Sequence, residues 1–321
     1  MRRLALIAAL ALGVSVPALA DNPQFQGADP HALMIGDEMW VFPTGGPVGA
    51  WDADRFHAFS STDLKNWRDR GELLRRDQIK WRRDDGAPER FLWAPGVAQA
   101  NGKWYLYYSL GPNTPKPSHI GVAVADRPEG PYRDSGKPLL TGRKGFEAID
   151  PMVFVDPKSG TPYFYAGGSA GSTLRVFELN PDMVSIKREV AVEQPPQFTE
   201  GAFMHERDGT YYLSYSHGRF NGASYSVHYA TASSPTGPWQ YRGRILSSDA
   251  THKGPGHHSF VETPGGETLI VYHRWENPAS PEPYKGERQI AIERIRYAPD
   301  GSIRPIAMTD GAAAPTLAAA R

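Results

Sequence analysis

Three carboxylates, a tryptophan and a histidine stand at comparable places in five stretches of a 321-residue chain. The stretches are Ala28-Asp29-Pro30-His31, Trp93-Ala94-Pro95-Gly96, Ile149-Asp150-Pro151-Met152, Thr199-Glu200-Gly201-Ala202 and Gly256-His257-His258-Ser259. Each precedes a tight turn by about seven to ten residues, and the stretches recur every 50 to 65 residues or so. Brought together, Asp29, Asp150 and Glu200 could hydrolyse a glycosidic bond. One carboxylic acid protonates the leaving oxygen and one carboxylate activates water. A third acid raises the pKa of the proton donor by like-charge repulsion.

Taken singly, each residue has an ordinary reading. Asp-Pro is a common turn dipeptide, and Asp156-Pro157 looks like just that. Glu200 could be a solvated strand end, Trp93 core, and His257 a satisfied interior histidine. Their shared position in different repeats is what singles them out. Strand heads in a packed core should be apolar, and converging unpaired carboxylates repel one another. A tryptophan face beside sugar hydroxyls suits Trp93 as a platform.

The elements that would gather these residues are strands. An aromatic-rich strand opened by a turn appears at Asp37 to Phe42, Gly102 to Tyr108, Gly160 to Tyr165, Gly209 to Tyr215 and Gly266 to Tyr272. β-Branched and aromatic residues bounded by Gly and Asp are strand chemistry, and the tight turns imply hairpins. Turns ending in an aromatic follow at Ser61 to Trp67, Pro128 to Tyr132 and Pro235 to Trp239. Five such units predict an all-β, five-bladed β-propeller of four-stranded blades, whose first strands line a central axis. An ordinary β-sandwich does not explain the recurring order.

Composition is consistent with this. Glycine (33) and proline (29) are abundant, as in chains of many short strands. The 35 acidic and 35 basic residues balance, so no net field favours nucleic acid or an anionic membrane. The chain lacks cysteine and must rest on its core. Residues 1–20 read as a secretory signal peptide: Arg2 and Arg3, an apolar run, then Ala18-Leu19-Ala20. The expected product is an exported protein, periplasmic or extracellular and free of the membrane after cleavage. Its catalytic domain would span 21–310, and a disordered tail 311–321.

Six phrases in order resemble glycoside hydrolase family 43. They are Ala28-Asp29-Pro30, Phe59 to Trp67, Trp93-Ala94-Pro95, Ile149-Asp150-Pro151, Thr199-Glu200-Gly201-Ala202 and Gly256-His257-His258-Ser259. The resemblance implies an inverting enzyme acting on oligo- or polysaccharide, with arabinofuranosidase the leading activity and β-xylosidase or another furanosidase the alternative. It implies Asp29 as general base, Glu200 as general acid and Asp150 as the residue tuning Glu200. Arg288 resembles an arginine that reaches the site beside the acid, though its type also fits a surface strand. His257 resembles a histidine near a channel-bound calcium or its waters, an assignment that could slip to His258. No cofactor is otherwise implied. Sucrose- and fructan-active relatives usually carry Asn-Asp-Pro and Arg-Asp-Pro, which this chain lacks.

Two other motifs lead elsewhere. Gly167-Gly168-Ser169-Ala170-Gly171 fits the G-x-S-x-G pattern, but a strand-like segment follows where a nucleophile elbow needs a helix, so it reads as a loop. His205-Glu206 lacks the second histidine of a zinc protease helix. A carbohydrate-binding propeller without catalysis is the rival from another class; it would keep Trp93 but not need three acids. The stretches Gly111 to Ser118 and Asn277 to Gly286 are expected to wall the pocket.

Overall fold

A computed structural model describes residues 21–45, 51–310 and 317. The signal-peptide expectation lies outside the described residues, as does most of the tail. The tail's one described residue, Leu317, is buried beside Leu64, Val261 and Val271, where its apolar side chain leaves water.

The strands form five antiparallel sheets, and their inner strands pack against one another in a ring. Blade 1 runs Ala28–Ile35, Glu38–Thr44, Arg55–Ser61 and Arg68–Arg75. Blade 2 has Phe91–Ala100, Lys103–Gly111 and His119–Ala125, edged by the short strands Arg133–Asp134 and Leu140–Thr141. Blade 3 comprises Met152–Val155, Pro162–Ala166, Arg175–Leu179 and Ile186–Val190. Blade 4 comprises Glu200–Arg207, Thr210–His217, Ser226–Ala232 and Gln240–Ser247. Blade 5 takes His252–Glu262, Thr268–Glu276 and Gln289–Arg294 from one end of the chain and Phe25–Gln26 from the other. That last pairing closes the ring, and the buried Asn22 side chain reinforces it by bonding both the N–H and the carbonyl of Ile292. The only helix among the described residues is a single 3₁₀ turn, Arg76–Gln78; none is long and apolar enough to cross a membrane.

Local chemistry explains the hairpins. Asn101-Gly102 and Asp208-Gly209 both turn with two positive φ angles, the twist that suits a two-residue hairpin loop. The aromatic second strands then fill the wedges between blades. Trp40 and Phe42 pack with Trp104 and Tyr108 between blades 1 and 2, and Tyr107 with Phe164 between blades 2 and 3. Buried tyrosine hydroxyls need partners, and they find them across the wedges: Tyr107 donates to Met183 O and Tyr165 to Pro235 O. Asp156 is the turn residue its sequence suggests, accepting from Ser159 N–H and, across the wedge, from the Tyr211 hydroxyl.

Candidate active site

The head of each inner strand is kinked in the same way. Asp29, Ala94, Asp150, Gly201 and His257 adopt φ of 47°, 44°, 58°, 62° and 39°. Four of these are not glycine, and such a conformation costs of order 1–3 kcal/mol unless its surroundings hold it. The hold is a hydrogen bond from each kinked N–H to a side chain of the preceding blade. Ala94 N–H donates to Thr44 Oγ1, Asp150 N–H to Ser109 Oγ and His257 N–H to Ser216 Oγ. Asp29 N–H donates to His273 Nδ1 at 3.0 Å. A register shift accompanies the kink in blades 1, 2, 4 and 5.

This corrects the register read from sequence. Asp29, Asp150 and His257 occupy the kinked position itself, whereas Glu200 and Trp93 stand one residue before it. The kink turns both positions toward the axial mouth. Trp93, Ile149 and Glu200 line one cavity there with Asp29, Ala94, Asp150 and His257.

Blade 3 departs from the pattern. Gly167, whose N–H bonds Ile149 O, holds the place that Ser109 and Ser216 hold elsewhere. It has no hydroxyl to offer, and a Cβ there would lie 2.1 Å from Thr173 O. The missing acceptor is supplied by Asp150, whose Oδ2 takes the Gly201 N–H at 2.9 Å. Asp150 thereby fixes the backbone next to Glu200.

The cavity measures about 340 Å³, and its two sides differ in charge. On one side Asp29 is buried, which pushes its pKa up, but Arg288, His257 and His273 outweigh that and hold it well below the usual range. Arg288 is the cation that persists at neutral pH, since burial lowers His257 and takes His273 down to about 4. Arg288 Nη1 meets Asp29 Oδ1 at 2.9 Å, while no described residue bonds Oδ2. On the other side burial pushes Glu200 up to about 7, against a hydrogen bond from the Tyr225 hydroxyl and helped by the charges of Asp29 and Glu147. Asp150 is raised well above the ordinary value by burial, then by Glu200, Asp29 and Glu147. The arrangement offers a carboxylate held ionised and a carboxyl that keeps its proton up to about pH 7, facing one small space.

Each expected site residue is found at this mouth. Trp93 donates from Nε1 to Trp51 O at 2.7 Å. Arg288 does reach the site, but beside Asp29 rather than Glu200. Its guanidinium also lies 4.3 Å from the Trp51 ring centroid, and the Trp51 and Phe220 ring centroids are 5.2 Å apart. His257 Nδ1 sits 3.6 Å from Asp29 Oδ1 and 3.5 Å from Asp150 Oδ2. His258 instead bonds Ser214 Oγ and packs on Phe260, its Nδ1 unpartnered among the described residues. Calcium takes six to eight oxygens. Near His257, Asp29 Oδ1 is taken by Arg288 and Asp150 Oδ2 by Gly201 N–H, so a calcium held there would draw most of its shell from water, and the chemistry below uses no metal.

Sequence reasoning missed Glu147, Tyr225, His273, Trp51 and Phe220. It also undervalued the loop at Gly167–Gly171. That segment is a loop, but Ser169 N–H donates to Glu200 Oε2 at 3.1 Å and Ala170 N–H to Glu147 Oε2 at 2.9 Å. Its glycine content was the available signal. Of the two expected walls, Pro112 and Asn113 line the cavity. The 277–286 segment supports the loop bearing Phe220 instead, through Tyr284 N–H to Asn221 O and Ala223 N–H to Glu282 Oε1.

Comparisons with known proteins give the family to which the chain belongs. A sequence profile described as glycosyl hydrolases family 43 matches residues 21–303. The chain is 35% identical to the beta-D-galactofuranosidase xynD of Aspergillus niger, over 90% of this chain and 86% of that protein. It is 32% identical to an arabinoxylan arabinofuranohydrolase of Bacillus subtilis, over 88% of this chain but only 62% of that longer protein. A family-43 β-xylosidase/α-arabinofuranosidase from a compost metagenome, solved with xylotriose, superposes with a TM-score of 0.71 at 26% identity, covering 90% of this chain and 98% of that one. A profile match over nearly the whole propeller and a 35% identical relative make this chain a member of glycosyl hydrolase family 43.

Proposed function

We propose that the protein is an exported, inverting, exo-acting glycoside hydrolase that removes terminal α-L-arabinofuranosyl residues. The observation that carries this reading is that Asp29 and Glu200 line one small cavity, Asp29 paired with the Arg288 guanidinium and Glu200 held by neutral donors only. In the proposed step Asp29 Oδ2 takes a proton from water as its oxygen bonds the anomeric carbon. Glu200 gives its proton to the glycosidic oxygen as the bond from that oxygen to the anomeric carbon breaks. Asp29 ends protonated and Glu200 ionised, and exchange with solvent resets both. Asp29 and Glu200 stand on non-adjacent blades, which suits a water between them; inversion asks for roughly 6.5–9.5 Å between the two carboxyls.

Asp150 acts through Glu200 by fixing the Gly201 backbone beside the acid, while the charges that raise Glu200 are those of Asp29 and Glu147. A cavity of about 340 Å³ lies at the small end of ligand sites, roughly 300–1,000 Å³. With Trp51 and Phe220 meeting beside it, this supports removal of one terminal sugar. The arabinofuranohydrolase relative supports arabinose. The galactofuranosidase relative supports a second reading, because α-L-arabinofuranose and β-D-galactofuranose share a ring configuration and differ in the length of the exocyclic arm.

The test compares nitrophenyl α-L-arabinofuranoside, β-D-galactofuranoside and β-D-xyloside with an arabino-oligosaccharide. A nitrophenolate leaves with little help from an acid, whereas a sugar alkoxide needs it. Glu200→Gln should lose about 10³-fold on the oligosaccharide and far less on the nitrophenyl sugar, while Asp29→Asn should lose similarly on both. NMR of the first-formed product should show the inverted anomer. Equal losses for Glu200→Gln on both substrates would remove it as the acid.

A further inference from the structure

Glu147 is a fourth carboxyl in the cavity, and nothing in the acid–base pair requires it. It lies in the approach to the inner strand of blade 3, three residues before Asp150, and is 8% exposed. Its two oxygens differ. Oε2 accepts the Ala170 N–H at 2.9 Å, while Oε1 has no donor among the described residues and Glu147 lines the cavity. No described Lys or Arg pairs with it. Burying a carboxylate without a cation costs several kcal/mol. Holding one backbone N–H does not justify that, because Thr44, Ser109 and Ser216 do the same around the ring with neutral hydroxyls. The same loop holds Glu147 through Ala170 and Glu200 through Ser169, so the free oxygen is fixed relative to the Glu200 carboxyl.

Resting on the hydrolase reading above, we infer that Glu147 is a specificity-determining residue whose Oε1 accepts a hydrogen bond from one hydroxyl of the sugar bound in the cavity. Burial raises its pKa, so the group accepts best where it is ionised and more weakly as the pH falls. Glu147→Gln is close to isosteric. Its amide oxygen can keep the Ala170 bond, which turns the amide NH₂, a donor, toward the sugar in place of the acceptor.

The experiment measures kcat/KM for wild type and Glu147→Gln on nitrophenyl α-L-arabinofuranoside and on its 2-, 3- and 5-deoxy analogues. The expected result is a loss of roughly 10- to 100-fold on the parent sugar, shrinking to less than about 3-fold on one deoxy analogue only. Equal losses on all four substrates would mean that Glu147 merely braces the loop, and would overturn the inference. Glu147→Asp keeps the carboxylate with a shorter reach and must show its loss against the same hydroxyl. If the Gln variant does not fold, the Asp variant decides. A wild type that hydrolyses none of the nitrophenyl arabinofuranoside, galactofuranoside and xyloside nor the arabino-oligosaccharide would instead defeat the hydrolase reading itself.

Discussion

Asp29 and Glu200 are both buried carboxyls at the heads of inner strands, and burial alone pushes each toward the neutral form. What separates them is the company each keeps. Asp29 has a guanidinium at 2.9 Å, and blade 5 supplies the neighbouring Arg288, His257 and His273. Glu200 has only neutral donors, the Tyr225 hydroxyl and Ser169 N–H, and faces Asp150 and Glu147. One residue class is thus given two states within one cavity. An acid–base pair comes from asymmetry between the two sides, not from the number of carboxylates.

The strongest way to break that asymmetry is to remove the cation. Arg288→Met takes away the charge that opposes burial at Asp29, so Asp29 protonates at higher pH. The acidic limb of the kcat/KM profile should move up toward neutral, and kcat/KM at its optimum should fall about 100-fold. An unmoved acidic limb would mean that Asp29 is not the ionised partner.

The other side can be examined through stability. Glu200 has a raised pKa in the folded state, so the folded protein binds its proton more tightly than the unfolded chain does. Stability is therefore lost as the pH rises from the ordinary carboxyl value of 4.5 to about 7. Glu200→Gln escapes that loss. Calorimetry should find the variant more stable than wild type at pH 8, on the order of a few kcal/mol, with the difference closing below about pH 5. A variant no more stable at pH 8 would show that Glu200 is not protonated by its surroundings.

The smallest effect sharpens the role of the kinks that carry both sides. Ser109→Ala leaves the buried Asp150 N–H without its acceptor and should cost about 1–3 kcal/mol in urea unfolding. Because Asp150 in turn holds Gly201, the same change should lower kcat for the oligosaccharide several-fold. A loss of stability with kcat intact would uncouple the kink from the acid.

Much of this was legible beforehand. The five aromatic hairpins announced their blades because period-two alternation and Asn-Gly or Asp-Gly turns are local properties. Asp29, Asp150, Glu200, Trp93, His257 and Arg288 were found by their place in a repeat or by resemblance. Glu147 was invisible, lying three residues from Asp150 with no counterpart at the other strand heads. The one-residue offset between Asp29 and Glu200 was equally hidden, because a kink held by a side chain from another blade leaves no spacing to read. So was the partner of Arg288, 259 residues away in the chain.

What the amino-acid order determined by itself was the set of strands and turns, their fivefold repetition and the inventory of acids at the strand heads, all fixed by neighbours within a few residues. Tertiary structure alone decided which carboxyl meets Arg288, which meets a neutral tyrosine, and where Asp150 replaces a hydroxyl that Gly167 cannot offer. The reason is physical: a buried group's charge depends on distances of 3–4 Å across blades. Those distances exist only once the ring is closed.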